Sequence, residues 1–182
     1  TTKETFALHG AVSDCDVAKV TRLLAAGADP DHPEFGGWTT CMEACRRRKP
    51  EILKLLLEAG ADPNAATTEG KDADHKRMTA LMAAADAGSI ESVQLLLAAG
   101  AKVGTRNSPG KTALHFAAKW GSPETIGALL QAGAEVNAVT IDEDGGPGGR
   151  SALHEAADRG NTKAVAALVK AKANVNQAMT GK

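Results

Sequence analysis

Thr112-Ala113-Leu114-His115-Phe116-Ala117-Ala118-Lys119-Trp120-Gly121-Ser122-Pro123-Glu124 begins a segment, residues 112–134, that encodes two short helices and the turn between them. Thr112 offers a side-chain oxygen where a helix starts. Leu114, Ala117 and Ala118 recur at helical spacing on one face. Gly121 ends that helix, because Gly accepts the left-handed conformation a helix C-terminus needs. Ser122 caps the next helix and Pro123 suits its first turn, where no N–H partner is required. Ile126, Leu129 and Leu130 make the second apolar face, and Gly133 closes it. The polar residues beyond Ala134 read as a loop or hairpin.

This segment recurs along the chain. Gly27-Ala28, Gly60-Ala61, Gly100-Ala101 and Gly133-Ala134 are followed by Lys172-Ala173, at steps of 33, 40, 33 and 39. Leu8, Cys41, Leu81, Leu114 and Leu153 repeat the same steps, each 19 residues earlier. Two independent markers with one set of spacings define five copies of a 33-residue unit, with 7 extra residues at one boundary and 6 at another. Asp16, Ser89 and Asn161 stand where Ser122 caps its helix, and Pro50 stands where Pro123 does. Arg48 replaces the helix-closing Gly, so that turn is expected to be less relaxed. One helix pair cannot bury its apolar face alone, whereas stacked copies can.

Composition fits stacking. The 182 residues include 36 Ala and 19 Gly but only three Phe, two Trp and no Tyr. Such a core rests on close approach of small residues backed by Leu and Val, not on rings, which argues against an aromatic-rich sandwich or a flavin or haem pocket. The 21 basic and 22 acidic residues give a net charge of −1, without the basic excess of a protein that lives on phosphate backbones. Uncharged stretches are short and broken by Gly, so no transmembrane helix is expected. Three Cys make no paired disulfide framework, which favours a reducing, cytoplasmic setting, or a nuclear one.

At this point the residues resemble a family. Thr112-Ala113-Leu114-His115, Thr79-Ala80-Leu81-Met82 and Ser151-Ala152-Leu153-His154 are similar to the Thr-Pro-Leu-His tetrapeptide of ankyrin repeats, with Ala in place of Pro. The ending Leu129-Leu130-Gln131-Ala132-Gly133-Ala134, then Asn137, is similar too. The second copy departs, with Thr39-Thr40-Cys41-Met42, and so does the first, with Phe6-Ala7-Leu8-His9. The resemblance covers nearly the whole chain and implies an all-α solenoid of five helix-turn-helix units with hairpin loops, two of them extended. The copies fall at about 1–33, 34–73, 74–106, 107–145 and 146–182 of a single domain. The end copies read as caps. The resemblance also implies a non-enzymatic protein–protein interaction module, a monomer that binds a partner peptide or protein through the concave face formed by first helices and hairpin tips. It assigns His9, His115 and His154 to hydrogen bonds between copies, interrupted at Met42 and Met82, and puts Asn64, Asn137 and Asn176 where hydroxylation occurs in the family.

On that mapping the exposed concave positions are Phe35, Trp38, Glu43, Arg46 and Arg47 in the second copy, and His75, Met78 and Asp86 in the third. The fourth contributes Lys111, Phe116, Lys119 and Trp120, and the fifth Arg150, Glu155, Asp158 and Arg159. Trp and Arg are the residues most enriched at interface hot spots. The competing reading has Trp38 and Trp120 packed on neighbouring copies. Arg46-Arg47-Arg48-Lys49 is a solvated turn, a nuclear-import or phosphate-binding run, or a pair, Arg46 and Arg47, that meets an acidic partner segment. Cys41 and Cys45 share one helix face, but they sit in apolar columns and lack a fourth ligand at metal spacing, so they read as buried fillers rather than a zinc site.

The extra residues lie within 66–78 and 139–150 and lengthen hairpin tips. Asp142, Glu143 and Asp144 lack the EF-hand ligand spacing and read as a solvated loop rather than a Ca²⁺ site. No phosphate-binding Gly loop, nucleophile elbow or HExxH motif is present, so no cofactor and no catalysis are expected. A second reading takes the chain as a regulatory or targeting segment of a larger multidomain protein, because it begins at Thr1 and residues 177–182 resemble the opening of another hairpin.

Overall fold

A computed structural model describes residues 2–68, 76–120, 122–141 and 147–179. Five helix pairs follow one another among them: α1 (Thr2–Ser13) and α2 (Val17–Ala25), α3 (Thr40–Arg46) and α4 (Pro50–Glu58), α5 (Ala80–Ala87) and α6 (Ile90–Ala98), α7 (Ala113–Trp120) and α8 (Pro123–Gln131), α9 (Ala152–Asp158) and α10 (Thr162–Lys170). The first helices of the pairs form an inner row, α1 against α3, α3 against α5, α5 against α7 and α7 against α9; the second helices form an outer row in the same order. Small residues make the inner row possible. Ala44, Ala84, Ala85, Ala117 and Ala118 are wholly buried at its seams, and Leu8, Cys41, Leu81 and Leu114 fill the space behind them. Val20, Leu53, Val93 and Ile126 play the same part in the outer row and are all inaccessible to solvent.

Local signals set the helix ends. Asp16 accepts from the Lys19 amide, Ser89 from Ser92, and Ser122 from Thr125. Asn161 departs from this pattern. It makes no cap; its amide donates instead to the carbonyls of Ala118 and Lys119, tying α10 to the preceding inner helix. At Thr112 the cap runs through a ring, since the Thr112 amide donates to Nδ1 of His115 at 3.1 Å. Four of the five first helices close on a described left-handed residue: Cys15 (φ 58°), Arg48 (φ 56°), Gly88 (φ 67°) and Gly160 (φ 66°). Arg48 therefore holds a conformation that costs an L-residue about 1–2 kcal/mol, which is the tension expected of its turn. Gly121 lies outside the described residues.

The hairpins carry the longer boundaries. Ala66 bridges Thr79, and β1 (Val139–Ile141) pairs antiparallel with β2 (Pro147–Ser151). Successive tips are joined by main-chain hydrogen bonds, from Thr68 to the Gly36 carbonyl, Ser108 to Lys76, and Ile141 to Pro109, at 2.9, 2.9 and 3.0 Å. The contact is close: a Cβ on Gly110 would stand 2.9 Å from the Ile141 nitrogen. Of the extra residues, 69–75 and 142–146 lie outside the described part, and with them His75 and the acidic triplet.

Candidate interaction face

The concave side of the inner row carries three groups of paired charges. In the first, Glu43 on α3 is only 4% exposed. Its carboxylate accepts from Arg46 Nε and Nη2 at 2.8 and 2.6 Å, Arg47 Nε at 2.8 Å, Trp38 Nε1 at 3.2 Å and the Ser13 hydroxyl at 3.2 Å. Burial by itself would raise the Glu43 pKa. The hydrogen bonds from Arg46 and Arg47 outweigh burial and hold it down to about 2. Trp38 is half-buried and packs against the core.

In the second group, Asp86 at the end of α5 accepts the indole N–H of Trp120 at 2.7 Å and lies 3.9 Å from Lys119 Nζ. Trp120 is 54% exposed. Lys119 and Arg159 place their cations 5.2 and 5.8 Å from its ring centroids. In the third group, Glu155 on α9 is buried and faces Lys111 Nζ at 3.7 Å and Arg150 Nε at 3.4 Å. Arg150 also bonds Asp158, and that hydrogen bond lowers the Asp158 pKa. A groove at the ends of the inner helices, lined by Arg48, Asp86, Gly88, Trp120, Pro123 and Lys163, runs beside the second group.

Exposure at these positions differs from the sequence-based expectation in four places. Met78 and Phe116, each 3% exposed, belong to the core, and Glu43 and Glu155 are buried. The reason is geometric. Glu43, Ala83, Phe116 and Glu155 occupy one column at the seam between closely spaced inner helices, and long side chains from neighbouring positions close over it: Arg46 and Arg47 onto Glu43, Lys111 onto Phe116 at 6.0 Å. Arg46, Arg47, Asp158 and Arg159 are exposed, and Asp86, Lys119 and Arg150 half-exposed. The Phe35 side chain lies outside the described part. Ser13 escaped the sequence reading because its partner, Glu43, is 30 residues away. The link between Asp86 and Trp120 had a legible signal: Asp86 and Lys119 share one column in adjacent copies with opposite charges.

The histidine column behaves as two kinds of site. Nδ1 of His115 accepts from Thr112, so Nε2 carries the proton and donates to the Arg150 carbonyl of the next copy at 3.2 Å. Burial lowers the His115 pKa to about 4. His9 is 3% exposed and finds no hydrogen-bond partner among the described residues, with Glu34 Oε1 at 3.7 Å from Nδ1. Cys41 and Cys45 are buried thiols; burial pushes Cys41 up to about 12 and Cys45 well above the ordinary range. Among the described residues no group of His, Cys, Asp and Glu could hold a metal, and no helix is long and apolar enough to cross a membrane.

Family models agree with this architecture. The model described as "Ankyrin repeats (3 copies)" matches residues 65–140 and 107–179, and "Ankyrin repeat" matches 36–68. The chain belongs to the ankyrin repeat family, whose repeats are generally protein–protein interaction modules. It is similar to the BTB/POZ domain and ankyrin repeat-containing protein NPR1 of Oryza sativa, 43% identical over 79 residues, 42% of this chain and 14% of that protein. It is also similar to human ankyrin repeat and KH domain-containing protein 1, 37% identical over 93 residues (51% of this chain, 4% of that protein). A third relative is the glycerophosphocholine phosphodiesterase gde1 of Schizosaccharomyces pombe, 35% identical over 101 residues (56% and 8%). The matched part of the chain thus spans 14% or less of these relatives' lengths.

Proposed function

We propose that the chain is a recognition module whose concave face binds a protein partner through an acidic segment. The observation that carries this reading is Trp120, 54% exposed and fixed from below by Asp86, with Lys119 and Arg159 beside it. A large exposed ring already held in one orientation loses little entropy when a partner covers it, which suits a hot spot. Charge supports an acidic segment. Glu43 and Glu155 are buried and matched by cations within the face, whereas Arg46, Arg47 and Arg159 remain open to solvent. Exposed cations of this kind act mainly on association rate and salt dependence.

In this reading the chain recognises rather than catalyses, acts as a monomer in the cytoplasm or nucleus, and binds neither nucleic acid nor a cofactor. The net charge of −1 and the use of all three Cys in repeat positions support that. The multidomain setting of the relatives supports a second reading, compatible with the first, in which these repeats target or regulate an activity carried by another domain. The test is a peptide library selected against the chain and re-measured on Trp120→Ala/Arg159→Ala. Acidic binders that weaken at least ~10-fold on this variant are expected. Binders that are not acidic, or that hold the variant equally well, would overturn the reading.

A further inference from the structure

The turns that join inner to outer helices form one edge of the concave side, and a groove of about 540 Å³ runs along it, within the size range of ligand clefts. Its walls come from four successive copies. Arg48 follows α3, Asp86 lies in the last turn of α5 with Gly88 just beyond it, Trp120 and Glu124 flank the turn into α8, and Lys163 lies in the first turn of α10. The floor is open at Gly88, where a Cβ would meet nothing within 4 Å. One copy earlier the same position is Arg48, which holds φ 56° where Gly88 holds 67°. Glycine occupies that conformation without strain. The chain instead carries a strained residue there, and so sets a guanidinium at one end of the groove.

Charge is patterned along this groove. Arg48 and Lys163 stand at its two ends, both exposed and without an ion pair or side-chain hydrogen bond among the described residues. Asp86 and Glu124 lie between them in copy order, beside the Trp120 ring. From one end to the other the groove therefore offers a cation, a carboxylate, a ring, a carboxylate and a cation. These parts are held in place. Asp86 fixes the Trp120 indole at 2.7 Å. The Asn161 amide donates to the Ala118 and Lys119 carbonyls, which ties the start of α10, and Lys163 with it, to the helix that carries Trp120. A groove assembled before its ligand arrives gives up little order on binding.

We propose that this groove binds an extended acidic segment of the partner protein whose carboxylates lie at its two ends and whose centre is uncharged. The end carboxylates pair with Arg48 and Lys163, which have no ion pair to break first. The centre crosses Gly88 and lies on Trp120, where a carboxylate would meet Asp86 and Glu124 and be repelled. Helices packed about 8–10 Å apart put about 24–30 Å between the backbones of Arg48 and Lys163, three junctions apart. About seven to nine extended residues cover that length. The proposal rests on the reading of Trp120 as the contact for an acidic segment, and adds the path, length and charge order of that segment.

The test is a nonapeptide library selected against the whole chain. Acidic binders are expected to carry Asp or Glu near both ends and uncharged residues between them. Each binder is resynthesised with the same residues rearranged so that its carboxylates fall in the centre, and the rearranged peptide should bind at least ~10-fold more weakly. Arg48→Glu and Lys163→Glu should each lower affinity by a similar factor. Gly88→Asn, which keeps the left-handed turn and narrows the groove, should weaken binding as well. Arg48→Gly separates binding from folding, because affinity should fall while the thermal midpoint does not. Acidic binders that tolerate the rearrangement, or that bind Arg48→Glu/Lys163→Glu as tightly as the unaltered chain, overturn this proposal and leave the acidic-segment reading standing. A selection that yields no acidic binders overturns both.

Discussion

The indole N–H of Trp120 donates to Asp86 Oδ1 at 2.7 Å, across 34 residues and one repeat junction. The bond turns an exposed ring into a fixed feature of the concave face. Asp86→Ala is expected to cost about 0.5–1.5 kcal/mol in urea denaturation, the range for one hydrogen bond. Tryptophan fluorescence anisotropy should fall as the ring is released. Partner affinity should weaken without loss of contact area, because the ring must then be ordered on binding.

Acid should weaken the fold in two windows, and the first belongs to His115. Its folded pKa, about 4, lies below the ordinary 6.5. The unfolded chain therefore binds the proton more readily between these values, and stability present above pH 6.5 is lost as pH falls towards 4. The full contribution is about 3 kcal/mol. Urea midpoints of His115→Gln should vary much less with pH across this window than those of the unaltered chain.

The second window belongs to Glu43, whose folded pKa of about 2 lies below the ordinary 4.5. Its contribution is complete above pH 4.5 and disappears as pH falls towards 2. Solvent around Arg46 and Arg47 reduces it to about 2 kcal/mol. Glu43→Gln should flatten this lower window and destabilise the chain at pH 7, where two guanidinium groups lose the carboxylate charge and one of its two acceptor oxygens.

Arg48→Gly should stabilise the chain. Arg48 holds φ 56° where the equivalent Gly88 and Gly160 hold 67° and 66°. Removing the side-chain clash gains about 1 kcal/mol, offset in part by the greater freedom of Gly in the unfolded chain. A thermal midpoint equal to or below that of the unaltered chain would show that Arg48 makes a compensating contact.

Thiol labelling offers a separate check on the core. Cys41 and Cys45 are buried and their thiols are held protonated, whereas Cys15 is half-exposed. A disulfide reagent at pH 8 should modify Cys15 alone, and reach the other two only in denaturant.

Much of the fold is legible in the string of residues because repeat markers carry their own cross-check. The Gly-Ala and Leu steps locate every helix pair, and the column of Arg48 shows where a left-handed residue must fall. These are local properties, dependent on caps, periodicity and backbone conformation within a few residues. The charge groups of the concave face depend instead on which side chains become neighbours, and that required the stack. Phe116 looks open by column and is closed, because inner helices brought together by Ala let Lys111 lie over the seam. Asn161 looks like a cap and is a cross-link, because the carbonyls of Ala118 and Lys119 arrive from 42 or more residues away. Period and family follow from the residues alone; which polar groups face solvent follows from packing, since burial belongs to neighbours in space and not to neighbours along the chain.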